Sequence, residues 1–98
     1  MQNTVFKALA HPARRQVLAL LRKGPRLAGD LAAEFESSWP TMSRHLAVLK
    51  DADLVTAERQ GNQILYRVNT SVLEDAATAL LGLIGGDNGD DELKEAAE

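Results

Sequence analysis

The spacing of apolar side chains divides the chain into segments of two different periods. In Thr4–Ala10, Val5, Phe6 and Leu9 share one side, which predicts a short amphipathic helix. A second helix is expected over HPARRQVLALLRKG. Pro12 suits its first turn, and Val17, Leu18, Leu20 and Leu21 form its apolar face. Gly24-Pro25 stops it, and Leu27 is a candidate for a very short strand. AGDLAAEF reads as a third helix, with Leu31, Ala32 and Phe35 turned inward. Ser37-Ser38 breaks that helix. Ser38 is an expected N-cap, and Pro40 fits the first turn of a fourth helix running to Lys50. Met42, Leu46 and Leu49 recur there at helical spacing, so Pro40, Ser43, Arg44 and Ala47 fall on the opposite side.

The period then shortens to about two in LVTAERQGNQILYRVN. Val55, Ala57 and Arg59 alternate with Thr56, Glu58 and Gln60, while Ile64, Tyr66 and Val68 alternate with Leu65 and Arg67. Gln60-Gly61-Asn62-Gln63 joins them, so this is a hairpin whose tip has no large apolar group. SVLEDAATALLGLI returns to helical spacing. Ser71 and Glu74 match a capping box. Its stripe of Val72, Leu73, Ala76, Leu80, Leu81 and Ile84 is longer than this small domain needs for itself. Residues 85–98 hold three glycines and six acids, which predicts a flexible acidic tail after a folded unit at 1–84. Four helices, a hairpin and a last helix give a mainly α fold with a small β-hairpin.

Two short helices joined by a tight turn and followed by a hairpin make a winged helix-turn-helix. Its second helix suits a DNA major groove, and its wing suits the neighbouring backbone or groove. The candidate DNA-binding residues on the reading helix are Ser38, Trp39, Pro40, Thr41, Ser43, Arg44 and His45. Arginine can bond guanine in pairs, and hydroxyls serve bases or phosphates. The amides from Ser38 to Thr41 are expected to face a negative charge. In the wing, Arg59, Gln60, Asn62, Gln63 and Arg67 make a polar, mildly basic tip. Alternatives stand beside several of these. Trp39 either packs over Phe35 or lies exposed near DNA. His45 is either a packed, hydrogen-bonded histidine or a phosphate donor. Arg44 and the wing would otherwise be solvated surface, and Tyr66 suits a core better than a ligand. Arg14 and Arg15 either flank the duplex or pair with acids such as Asp30 or Asp53.

The 98 residues suffice for one domain, one that burial against a partner would help. A net charge of -3 sits badly with DNA until its distribution is considered. Residues 1–68 carry ten of the eleven basic side chains and six of the fourteen acids; the remainder is strongly acidic. A basic body with an acidic tail is compatible with a polyanionic partner. No apolar run is long enough for membrane insertion, and Met1 is followed by polar residues, so no secretory leader is expected and the cytoplasm is the expected compartment. Without cysteine there is no disulfide or thiolate chemistry. His11 and His45 are isolated and zinc spacings are missing, so no metal, cofactor or catalytic residue is assigned and an enzyme is not expected.

The pieces FKALAHPARR, SSWPTMSRHLAVLKDADLV and ERQGNQILYRVNTSVLE, in that order, resemble the ArsR family of bacterial winged-helix repressors over about residues 4–84. The likeness is greatest to the autorepressor branch that lacks a metal site. The resemblance implies a homodimeric repressor on a palindromic operator, often regulating its own operon. It also implies dimerisation through extra N- and C-terminal helices. Val5, Phe6, Leu9, Leu73, Ala76, Ala77, Leu80, Leu81 and Ile84 are the candidate interface residues. Some features depart from the family's pattern. There is no cysteine in AGDLAAEF and no histidine in Ser71–Ile84, which speaks against metal sensing of the family's usual kinds. His11 stands where an Asp cap is common, Ser37 where an apolar residue is usual, Trp39 where a polar one is common, and Leu65 where an aromatic is common. Release from DNA is open among an antagonist protein, capture by a membrane partner and falling concentration. The rival reading is a winged-helix protein-interaction module with weak or no DNA binding, in which Trp39 anchors the partner.

Overall fold

The computed structural model describes residues 2–85. Five helices and three strands follow one another as α1 (Gln2–Leu9), α2 (Pro12–Leu21), β1 (Arg26–Leu27), α3 (Ala28–Ala33), α4 (Trp39–Asp51), β2 (Val55–Gln60), β3 (Gln63–Val68) and α5 (Thr70–Leu83). The expected hairpin is β2–β3, and the short strand at Leu27 adds a third, giving an antiparallel sheet of order β1-β3-β2. Arg26 pairs with Tyr66 and Leu27 with Leu65, while β2 and β3 run in register from Val55↔Val68 to Gln60↔Gln63. The last pair leaves a two-residue turn, Gly61-Asn62. Gly61 takes φ +66 at its first position, a conformation that suits glycine because no Cβ meets the backbone. Residues 86–98, and with them almost all of the expected acidic tail, lie outside the described residues.

One core holds these elements together. It draws Val5 and Ala8 from α1, Val17, Leu18 and Leu21 from α2, and Leu31 from α3. Met42, Leu46 and Leu49 of α4, with Leu54 and Val55 beyond it, complete most of the rest. Truncating a fully buried leucine here, such as Leu49, would cost about 2–5 kcal/mol, because the space left behind refills only in part. α1 packs on α2, α4 and α5, and α4 packs on β2, so the reading helix is fixed from behind by most of the domain.

Local chemistry sets the ends of these helices. α4 finishes in a Schellman motif. Asp53 N–H donates to Lys50 C=O at 2.9 Å and Leu54 N–H to Leu49 C=O at 3.0 Å, with Asp53 at φ 61. Leu49 and Leu54, both fully buried, supply the apolar contact that accompanies this motif. α2 begins on His11, whose Nδ1 accepts the Ala13 N–H at 3.2 Å, so histidine does the work of the absent Asp cap. The expected capping box of α5 does not form. The helix starts at Thr70 with Asn69 as N-cap, two residues ahead of Ser71, and no side chain caps it. Asn69 N–H instead donates to Leu54 C=O at 2.8 Å, and that tertiary bond sets where the helix begins.

Among the described residues, no acid pairs with Arg14 or Arg15. Arg14 Nε donates to Ala8 C=O at 2.7 Å and its Nη2 to Lys7 C=O at 3.2 Å, while Arg15 Nη1 donates to Leu9 C=O at 2.7 Å. These are carbonyls of the last turn of α1, which have no partner inside their own helix. Only Ala10 and His11 separate the two helices, so cations in the first turn of α2 are delivered to them.

Candidate nucleic-acid interface

Burial sorts the residues of α4 as the helical period predicts. Met42, Leu46 and Leu49 are buried, and Trp39, Pro40, Thr41, Ser43, Arg44 and Ala47 are exposed. Trp39 keeps 50% of its surface open to solvent. A large aromatic group held out at the first position of a helix costs solubility unless it has an occupant to meet. Ser38 takes the N-cap position, but its side chain makes no cap bond; its hydroxyl donates to Thr41 Oγ1 at 3.2 Å. Pro40 has no N–H, so the helix start offers the amides of Trp39 and Thr41 rather than an unbroken run. Arg44 stands exposed one turn further along.

His45 departs from the rest of the candidate set. It is 7% exposed and faces inward, its ring centroid 4.4 Å from that of His11 with the planes tilted by 53°. The ring packs inward, but the hydrogen bond that the packed reading expected is missing: its Nδ1 is buried without a partner. An orphaned buried polar atom costs about 1–3 kcal/mol. Burial lowers the His45 pKa from its ordinary value of 6.5, and the neighbouring His11, Arg14 and Arg44 lower it further.

The wing residues Arg59, Gln60, Asn62, Gln63 and Arg67 are all exposed. Arg59 Nε donates to Gly61 C=O at 3.1 Å, which holds the side chain along the turn and leaves its terminal nitrogens as donors. Arg67 lies 3.9 Å from Glu58 across the two strands, an exposed pair that restrains Arg67 only weakly. Tyr66 is partly buried against the core, and burial pushes its phenol pKa up.

Of the residues assigned to an interface between copies, Val5 and Ala76 are buried in the protomer's own core, and Phe6, Leu9 and Leu73 pack against it. Ala77, Leu80, Leu81 and Ile84 are exposed. Leu83, not among the assigned residues, is 80% exposed, which makes it the most open large apolar group of the described residues. It lies eleven residues after Val72 and seven after Ala76, on the same helical face, so the helical period was a signal that could have found it. His11 was assigned only as a helix start. Its meeting with His45 joins two elements far apart in the chain, which no local spacing reports.

The pattern of a helix-turn-helix domain matches residues 9–58, a span that runs from the end of α1 through the reading helix into the wing. The chain is similar to the transcriptional repressor SdpR of Bacillus subtilis, with 45% identity over 88% of this chain and 97% of SdpR. It is also similar to the arsenical resistance operon repressor of Staphylococcus xylosus, with 39% identity over 74% of this chain and 69% of that protein. Among solved structures it resembles the homodimeric winged helix-turn-helix DNA-binding domain of a Mycobacterium bovis protein. That match has a TM-score of 0.69 and 31% identity, and covers 87% of this chain and 80% of the other. The fold and the open face of α4 define a winged helix-turn-helix protein. The chain belongs to the ArsR family of winged helix-turn-helix transcriptional repressors.

Proposed function

We propose that the chain represses transcription as a homodimer bound to a palindromic operator, including one in its own promoter. The observation that carries this reading is α4, buried through Met42, Leu46 and Leu49 and open along Thr41, Ser43 and Arg44. An α-helix of this kind fits a major groove, where Arg44 reads a base edge and the hydroxyls of Thr41 and Ser43 serve bases or phosphates. Ser38, Trp39 and Pro40 lie along the adjoining backbone, and Arg59 to Gln63 with Arg67 bring the wing to phosphates or the minor groove. Leu80, Leu81, Leu83 and Ile84 leave an apolar end on α5 that a second copy would cover. Two-fold symmetry then sets two reading helices about 34 Å apart, one turn of DNA. The homodimeric Mycobacterium bovis domain supports that assembly.

Selection from a random duplex library tests the reading. The expected winner is an inverted repeat with half-site centres about 10 base pairs apart, retained against bulk DNA and weakened by salt. No enrichment by a folded dimer would reject it. The half-exposed Trp39 favours a second reading, in which a protein partner docks on the same face. Such a partner would act as an antagonist by covering the reading helix.

A further inference from the structure

We propose that the cleft between the start of α2 and the first turns of α4 is an anion site that holds a phosphate-class group. The cleft has a volume of about 490 Å³, and its polar walls are His11, Arg14, Ser37, Thr41, Arg44 and His45. Among the described residues, no carboxylate lines it. His45, one of its lining residues, is more than nine-tenths buried, and its Nδ1 has no hydrogen-bond partner.

Each wall contributes to the same preference. The His11 ring is held in place because its Nδ1 caps α2, which leaves Nε2 to meet a ligand. Arg14 is anchored by two carbonyls of α1, so its positive field is fixed beside the cleft and needs no reordering when an anion arrives. Arg44 stands at the rim, on the boundary with the open face of α4. Thr41 and Ser37 add hydroxyls. Two imidazoles, two guanidiniums and two hydroxyls suit an ion with several acceptor oxygens, and a tetrahedral phosphate group matches that donor set better than chloride or a flat carboxylate. Burial and then the neighbouring His11, Arg14 and Arg44 lower the His45 pKa, and a bound anion would offset the charged part of that shift and move the pKa back up.

Two sources can supply this chemistry: a phosphate of the DNA backbone or a free phosphorylated small molecule. Only the first rests on the DNA-binding reading. The test uses the full chain and the ring nitrogen signals of both histidines by NMR. Inorganic phosphate is titrated against sodium chloride at matched ionic strength. The expected result is a saturable shift of both rings at millimolar phosphate, with the His45 titration moved upward. His11→Asn keeps a good N-cap and should weaken phosphate binding about tenfold, while His11→Asp, which also caps, should abolish it. Both variants keep the His45 side chain but remove the ring that packs on it, so thermal melts and the His45 signal in sodium chloride alone serve as controls. Ring shifts that follow ionic strength alone would overturn the proposal, as would unchanged phosphate binding in both variants. A second arm adds a duplex to the phosphate-loaded chain. Displacement of phosphate assigns the site to the DNA backbone, whereas phosphate retained in the presence of duplex assigns it to a free anion. A chain that ignores duplex but binds phosphate would refute the DNA reading and leave the anion site standing.

Discussion

Replacing Leu80 with Asp tests the proposed assembly where the structure gives a magnitude. The exposed fractions at the end of α5 are 49% for Leu80, 57% for Leu81, 80% for Leu83 and 77% for Ile84. Together they amount to between two and three fully open leucine side chains. At about 1.5–3 kcal/mol for each complete burial, a partner that covers them gains roughly 4–8 kcal/mol from each protomer. Two-fold symmetry doubles that gain, which brings it into the range of the estimated cost of association, about 4–15 kcal/mol. Leu80 supplies half a leucine per protomer, so losing both copies removes about 1.5–3 kcal/mol. The dissociation constant should then rise about 10- to 150-fold from apolar loss alone, and a carboxylate left in an apolar seam adds to this. Sedimentation velocity across micromolar concentrations reads the change directly. Thermal melts of dilute protein control for protomer stability, which should change little because Leu80 is half open already. An unchanged mass distribution in a folded variant would refute the assignment of this surface.

Three further outcomes follow from individual side chains. Arg44→Ala should cost about 1–3 kcal/mol on the selected duplex and less on unrelated DNA, measured by fluorescence anisotropy; equal loss on every sequence would make Arg44 a backbone contact. Arg14→Ala removes two charge-assisted bonds to the end of α1 and should lower stability in urea by about 1.5–3 kcal/mol, whereas a side chain that served only DNA would leave the midpoint unmoved. The lowered pKa of His45 means that the unfolded chain binds more protons than the folded one below 6.5. The stability linked to its neutral form is therefore complete above 6.5 and is lost as the pH falls from there through the lowered folded value. Urea titrations in phosphate-free buffer should show this decline, and His45→Gln should flatten it; an identical slope in the variant would exclude His45 as its source.

The face of α4 was legible because one helical period both buries Met42, Leu46 and Leu49 and exposes Ser43 and Arg44. The wing was legible because its strands alternate around Gly61-Asn62. What the sequence hid was decided by contacts between distant segments. The S-x-x-E pattern at Ser71 is a sound local signal, but the Asn69 bond to Leu54 starts α5 earlier. Arg14 and Arg15 have acids within reach on paper, yet the carbonyls at the end of α1 lie closer in space. Nothing in the spacing of His11 and His45 reports that their rings meet. Val5 and Ala76 were assigned to a dimer surface because apolar periodicity does not distinguish a protomer's own core from a partner's.

The most direct measurement is an amide chemical-shift map of the full chain with and without the selected duplex. The account predicts that the large changes fall on Ser38, Trp39, Thr41, Ser43, Arg44 and Ala47 and on Arg59 to Gln63, with Met42, Leu46 and Leu49 at the rear of α4 and the strand β1 little affected. Changes confined to other surfaces, with Thr41, Ser43 and Arg44 undisturbed, would contradict the claim that this helix reads DNA.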